Sequence, residues 1–562
     1  MSCSALGPNP GTENFRRTPD VVMRLARMGS FHPTRLSFLR AMLRRYQDEQ
    51  WSFDRPIWAV DAKGVGRAVY RAIGPERTYS LVAFGHDLPA GMRSDRVIAT
   101  AWDATFALFD GTPTTADIDR LQVNVPLQEA GRLSRSELVL SRANRSVRLF
   151  DYVVDRLAQG QQLHCKDIDP VGYLMRTTAV YGSGKFGAAD RASIAGRPEL
   201  SGPFRAEMLS VWLIRAFTVD LVEHMAQARG GARAARMDRS LRRRLGVGNA
   251  TGLGMAPFVV RHPVLLNNWM MAREEALARV RAQSSVAPAA QAGMRTALAN
   301  AIENATLWRS EHPIQIKKLD ALRSDLATID GHLDTNWDRA APYPWDSLWR
   351  WGERFLSMEG QEQLLAVMLE PHGALVDGLS DCMDADEDAY FAIDGAMPLI
   401  RLRAILDERY DWALKVDYTA AAAQARFWYV SEEKLEPRLG HRGADAGAER
   451  EQPLAIGRAA ALLSQELHKW SGAPIVAAFL LAHPEHRLMV RRVQIAVRHP
   501  FAEVQDNLID SGILPIDLLR CKLSFFGATR FDPRSDLWVR ISLFQGMPFP
   551  DEMGPDGPGD SP

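Results

Sequence analysis

Cysteine is scarce in this 562-residue chain. The four present, Cys3, Cys165, Cys382 and Cys521, stand far apart and form no CxxC. That argues against a disulfide framework or a zinc ribbon and fits a reducing, cytoplasmic setting. Excess charge of either sign is also missing, because 68 Lys and Arg balance 68 Asp and Glu. A protein that coats nucleic acid normally carries a basic excess, so no nucleic-acid partner is expected. Long apolar runs are absent too: Leu209–Val222 is broken by Arg215 and Asp220, and Pro474–Ala482 is too short to cross a bilayer. No membrane association is therefore expected, and the first ten residues lack the basic start and apolar run of a signal peptide.

What remains is an ordinary globular composition, 46% hydrophobic and 24% charged, in a chain long enough for about two to four domains. Apolar residues recur at three- and four-residue intervals over Glu137–Leu157, Pro203–Ala228, Ala256–Ala282, Ala289–Leu307, Ile314–Leu326, Pro398–Val416 and Ile456–Trp470, which predicts helices there. Val65–Ile73 and Thr78–Phe84 flank Gly74-Pro75-Glu76-Arg77 and predict a β-hairpin. The alternation in Asp536–Gln545 suggests a late strand. The expected fold is mainly α with a small antiparallel β-sheet, an α+β protein with a multi-helix core and no Rossmann domain. Its expected divisions are a disordered tail at 1–18, an α+β region with the hairpin at 19–160, and a helical core with glycine loops at 161–345. A helical C-terminal region at 346–547, carrying a charged loop at 431–453, and a disordered tail at 548–562 complete it.

Two glycine-rich segments carry the functional reading. Arg242-Arg243-Arg244 runs into Leu245-Gly246-Val247-Gly248-Asn249-Ala250-Thr251-Gly252-Leu253-Gly254. Glycines there allow backbone N–H groups to approach an anion closely, with an arginine beside them. The glycines follow an arginine-rich segment read as helical, so they do not make a dinucleotide fingerprint. Gly182-Ser183-Gly184-Lys185 resembles part of a phosphate-binding loop but lacks the spacer and the hydroxyl residue after lysine. The plainer alternatives are a glycine-rich helix–helix connection beside a solvated basic face for the first segment and a close helix contact through small residues for the second.

The expected binding residues for a small organic anion, a carboxylate or phosphate ester, are Ser183, Lys185, Arg243, Asn249 and Thr251. Asn267 joins them because an asparagine deep in a predicted helix needs a partner. His262, His441 and Glu433 are the acid/base candidates, since histidine titrates near neutral pH and a charged loop can carry a carboxylate to a substrate. Other patterns fail on incomplete sets. Ser431-Glu432-Glu433-Lys434 lacks the companion elements of serine β-lactam enzymes. His483-Pro484-Glu485-His486 lacks the cysteine half of a deaminase site, and Asp384–Asp388 lacks the glycine and glutamate of a calcium loop. Asp220 and His224 are four residues apart on one predicted helix, two ligands at most, and no metal site is assigned. No residue pattern specifies a cofactor.

The reading is a cytoplasmic enzyme of unspecified reaction, a homodimer by default. A non-enzymatic helical interaction protein is the alternative, and a metal- or haem-dependent helical oxygenase the third.

Overall fold

The Gly74–Arg77 turn joins two strands of a sheet much larger than composition suggests. A computed structural model describes residues 11–89, 92, 101–126, 134–177, 194, 196–200, 205–249, 262–310, 313–383, 391–419, 429–431, 434–438, 456–505, 515–528, 530–531 and 541–553. The chain forms two units, each assembled from separated segments: Met1–Ser37 with Leu253–Phe525 and Arg534–Leu537, and Phe38–Gly252 with Phe526–Pro533 and Trp538–Pro562. They are called the helical unit and the sheet unit below. These units replace the sequential regions expected from composition.

In the sheet unit, nine strands form one sheet: β1 (Ser52–Val60), β2 (Gly66–Ile73), β3 (Thr78–Gly85), β4 (Ala104–Asp110), β5 (Glu137–Arg145), β6 (Tyr173–Thr177), β7 (Gly246–Asn249), β8 (Arg530–Phe531) and β9 (Ile541–Leu543), in the order β1-β2-β3-β4-β5-β6-β7-β9-β8. All neighbours run antiparallel except β6 and β7, which are parallel. The expected small antiparallel sheet is thus corrected to a large mixed one.

The helix expected over Glu137–Leu157 is likewise two elements, β5 and then the helix Phe150–Ala158. Eight of nine β5 residues are buried. A strand covered on both faces loses its alternation and reads as a continuous apolar run. Both covers are present. On one face Val69, Val82, Phe84, Ala107, Phe109 and Leu140 pack with Ile118, Leu121 and Val125 from α1 (Thr115–Asn124) and its end. On the other, Phe217 of α2 (Arg205–Gly230) meets the rings of Tyr70 and Phe106 edge-on at 6.4 and 5.4 Å.

Gly246 and Gly248 belong to β7, not to a loop. A Cβ on Gly246 would stand 2.3 Å from the Leu543 carbonyl of β9, and one on Gly248 2.5 Å from the Tyr173 ring of β6. Close packing is the reason for both glycines. Gly248→Ala is expected to destabilise the sheet unit by about 1–3 kcal/mol through overpacking. An unchanged urea midpoint would show that Tyr173 can yield.

The helical unit contains α3 (Pro263–Arg281), α4 (Pro288–Leu307), α5 (Pro313–Thr335), α6 (Pro344–Phe355), α7 (Met358–Leu369), α8 (Leu399–Arg409), α9 (Ile456–His468), α10 (Arg487–Arg498) and α11 (Pro515–Phe526). Its core runs through α3 to α7, with Leu277, Leu326, Trp345, Trp349, Leu365 and Met368 buried together. α5 runs on to Thr335, beyond the Ile314–Leu326 span expected to be helical. Residues 11–18, expected to be a tail, carry side chains into this interior: Thr12 and Arg17 are buried. At the other end Pro550–Glu552 forms a turn in the sheet unit.

The interior of the helical unit also holds charge. Arg17 grips Glu274 with two bonds of 2.7 Å and reaches Glu362 at 2.7 Å; Arg27 meets Glu362 at 2.8 Å; Arg273 pairs with Glu362 and lies 3.2 Å from Glu274. Arg520 donates to both Glu359 oxygens, one at 2.6 Å, and Ser30 Oγ donates at 3.0 Å. His32 completes this second group, 3.5 Å from Glu359 and stacked on Trp308.

Candidate functional site

β6, α2 and β7 make a βαβ unit, the arrangement in which a ligand is expected at the carboxyl ends of the parallel strands. Thr177, the last residue of β6, is in register with Asn249, the last of β7. The chain leaving Thr177 leads into Ser183 and Lys185, and the chain leaving Asn249 leads into Thr251. The last described residues ahead of Ser183 and Lys185 and ahead of Thr251 are therefore register partners on neighbouring strands. Ser183, Lys185 and Thr251 themselves lie outside the described residues, as do Glu433 and His441.

At this end the sheet supplies buried polar groups. Arg176 is 5% exposed and Thr177 fully buried; Thr177 Oγ1 donates to the Arg142 carbonyl at 3.1 Å. Ser141 lies on β5 two residues past Ala143, the register partner of Thr177, so it stands beyond the end of β6. Alternation puts Ser141, Ala143 and Thr177 on one face. That is the α2 face, because Ser141 pairs with Phe106, which meets Phe217. Among the described residues the Ser141 hydroxyl is buried without a hydrogen-bond partner, and so is that of Ser210 on α2. Buried hydroxyls normally find partners, and unpaired ones point to a water or ligand. Sequence reading missed Arg176, Ser141 and Ser210. Arg176 and Ser141 lie on β6 and β5, so finding them needed the correct strands, and Ser210 lies on α2.

Arg243 is not part of this end. It precedes β7, and the four-residue strand, about 13 Å long, separates it from Asn249. Its guanidinium Nε donates to Glu552 at 3.2 Å, while Arg242 pairs with Asp551 and Arg244 with Asp169 at 3.1 Å. The grouping of Arg243 with Asn249 and Thr251 is corrected accordingly. Asn267 is an interior tie of the helical unit: its Oδ1 accepts the Phe501 N–H at 3.0 Å, and its Nδ2 donates to Asn268 Oδ1 at 3.3 Å and lies 3.4 Å from His499 Nδ1. His262, also in the helical unit, stands just before α3, and its side chain makes no capping bond.

Asp220 and His224 do not share a ligand. Asp220 Oδ2 accepts from Tyr70 at 2.6 Å and from Arg55 at 2.7 Å, and burial, only partly opposed by these two, raises its carboxyl above the usual range. His224 Nε2 donates to the Asp61 carbonyl at 2.9 Å, and Trp58 Nε1 donates to Nδ1 at 3.4 Å. Among the described residues no group of three or more His, Cys, Asp or Glu is placed to hold a metal, and no helix is long and apolar enough to cross a membrane.

No protein-family model, curated protein or solved structure matches this chain.

Proposed function

We propose that this protein is an enzyme acting on a small organic anion, a carboxylate or phosphate ester, bound at the carboxyl ends of β6 and β7. The observation that supports the reading is the parallel register of Thr177 with Asn249, the strand ends that precede Ser183 and Lys185 and Thr251 in the chain. Lys185 supplies cationic charge in this reading, and Ser141, Ser183 and Thr251 supply hydroxyls. Glycines before Lys185 allow backbone N–H groups to approach an anion. We assign it to the cytoplasm on its cysteine usage.

Thermal-shift screening of the full chain against carboxylates and phosphate esters tests this. Selected anions are expected to raise the melting temperature, and Lys185→Ala and Thr251→Ala are each expected to weaken that binding about tenfold, the loss of one charge-assisted contact. If no anion stabilises the wild type, or if both variants respond as the wild type does, the assignment fails.

An interaction protein is the second reading. Three leucine and isoleucine side chains of the helical unit support it: Leu481, Leu488 and Ile400 are at least 76% exposed.

A further inference from the structure

The arginine-rich segment that precedes β7 has a separate use. Between Ala232 and Leu245 the chain holds six arginines and a single acid, Asp238. Its own C-terminal turn covers part of this charge. Glu552 accepts from Arg239 at 2.7 Å and from Arg243 at 3.2 Å, and Arg242 pairs with Asp551. Arg233 and Arg236 are exposed, and their guanidinium groups make no hydrogen bond or ion pair among the described residues.

The covering turn has two parts held with different strength. Up to Phe549 it is anchored in the interior. Trp212 Nε1 donates to the Pro548 carbonyl at 2.9 Å, and Arg215, 1% exposed, donates to the carbonyls of Leu245 and Met547 at 2.7 Å. Phe549 is sandwiched between the Arg215 and Arg242 guanidinium groups, 3.8 and 4.2 Å from its ring centre. Past Phe549, Pro550 and Met553 are buried and Glu552, 6% exposed, takes Arg239, Arg243 and the Phe549 N–H at 2.8 Å, whereas Asp551, 61% exposed, is paired with Arg242. Ion pairs at such exposure are weak and salt-sensitive. Asp551 can therefore leave Arg242 while the chain up to Phe549 and the Glu552 carboxylate stay in place.

We propose that Arg233, Arg236, Arg239, Arg242 and Arg243 form a docking surface for an acidic segment of a partner protein, which displaces Asp551 from Arg242. The occupant seen in the structure is itself a peptide with adjacent carboxylates, and the guanidinium fork suits that group. The two uncovered arginines extend the surface beyond what the internal turn neutralises. This site is distinct from the strand-end site and does not depend on it.

Fluorescence anisotropy on the full chain, with a labelled peptide of alternating Asp and Glu, tests the proposal. Asp551→Asn, at an exposed side chain, is expected to bind the peptide about fivefold tighter than wild type, the effect of releasing one partly exposed ion pair. Arg233→Ala with Arg236→Ala, both at exposed positions, is expected to weaken binding several-fold in either background. The proposal is overturned by equal peptide affinity with and without the Asp551 carboxylate, by indifference to Arg233 and Arg236, or by tighter binding of polyuridylate than of the peptide at the same ionic strength.

Discussion

Glu362→Ala is expected to cost the helical unit about 3–5 kcal/mol, the range for removing one partner of a buried ion pair. Glu362 sits on α7 with no exposed surface and takes three guanidinium groups, those of Arg17, Arg27 and Arg273. Its carboxyl is held well below the usual range: burial alone would raise it, and the three arginines more than reverse that. Removing the carboxylate leaves the cations in place. Arg17 and Arg273 keep Glu274, whereas Arg27 is left with Gln361 at 3.3 Å. The penalty therefore comes from guanidinium charge left without compensation inside the protein. Glu362→Gln keeps the shape and part of the hydrogen bonding, so it should cost less. An exposed pair such as Arg323 with Asp320 should lose under about 1 kcal/mol on the same treatment. Urea denaturation followed by tryptophan fluorescence gives the comparison, with Trp349 reporting locally because Arg17 lies over its ring at 5.2 Å. The unfolding of a two-unit chain is read as separate transitions. A Glu362→Ala protein within 1 kcal/mol of wild type would refute the idea that this network holds the N-terminal segment in place.

The same network shows where sequence reading stops. Periodicity is a local signal, and it served where an element has one covered face or a clear turn: β2 and β3 about Gly74–Arg77, and the helices α2, α4 and α9 within a few residues. It misread β5 because both faces of that strand are buried. The partners of Arg17 are Glu274 and Glu362, hundreds of positions away, and no spacing rule links them. Composition therefore assigned residues 11–18 to a tail. Gly246 and Gly248 were misread for a related reason. Their lack of a side chain answers to Leu543 and Tyr173, on strands remote in sequence, and not to an anion beside them. The candidate site was half legible: the glycine-rich segments stand out in the sequence, but the pairing of Thr177 with Asn249 required the sheet order.

Acid should destabilise the helical unit in two stages. His32, His332 and His372 are all held below the ordinary histidine range, in each case chiefly by burial, and His372 is brought down to about 4. Around His32 the charges oppose one another, Arg520 lowering its proton affinity and Glu359 and Glu362 raising it, while Trp308 covers its ring. Among the described residues His372 Nε2 is buried with no hydrogen-bond partner, and its ring lies edge-on to Trp345 at 4.7 Å. A histidine with a depressed folded pKa is neutral in both states at high pH. Once the pH falls below about 6.5, the unfolded chain takes up the proton and the folded chain does not. Stability is then lost as the pH drops, by up to about 1.4 kcal/mol per pH unit for the fully buried His32 and by less for His332 and His372, which solvent partly screens, until the folded pKa is reached. Below about pH 4.5 the carboxylates take over. Glu359 and Glu362, both depressed by their arginines against burial, must lose their charge in the unfolded chain first. The helical unit's urea midpoint should thus decline already between pH 6.5 and 5, before any normal carboxylate titrates. His372→Leu should flatten that first stage and leave the second intact. A midpoint flat down to pH 5 in the wild type would mean that these imidazoles reach water and protonate in the folded state.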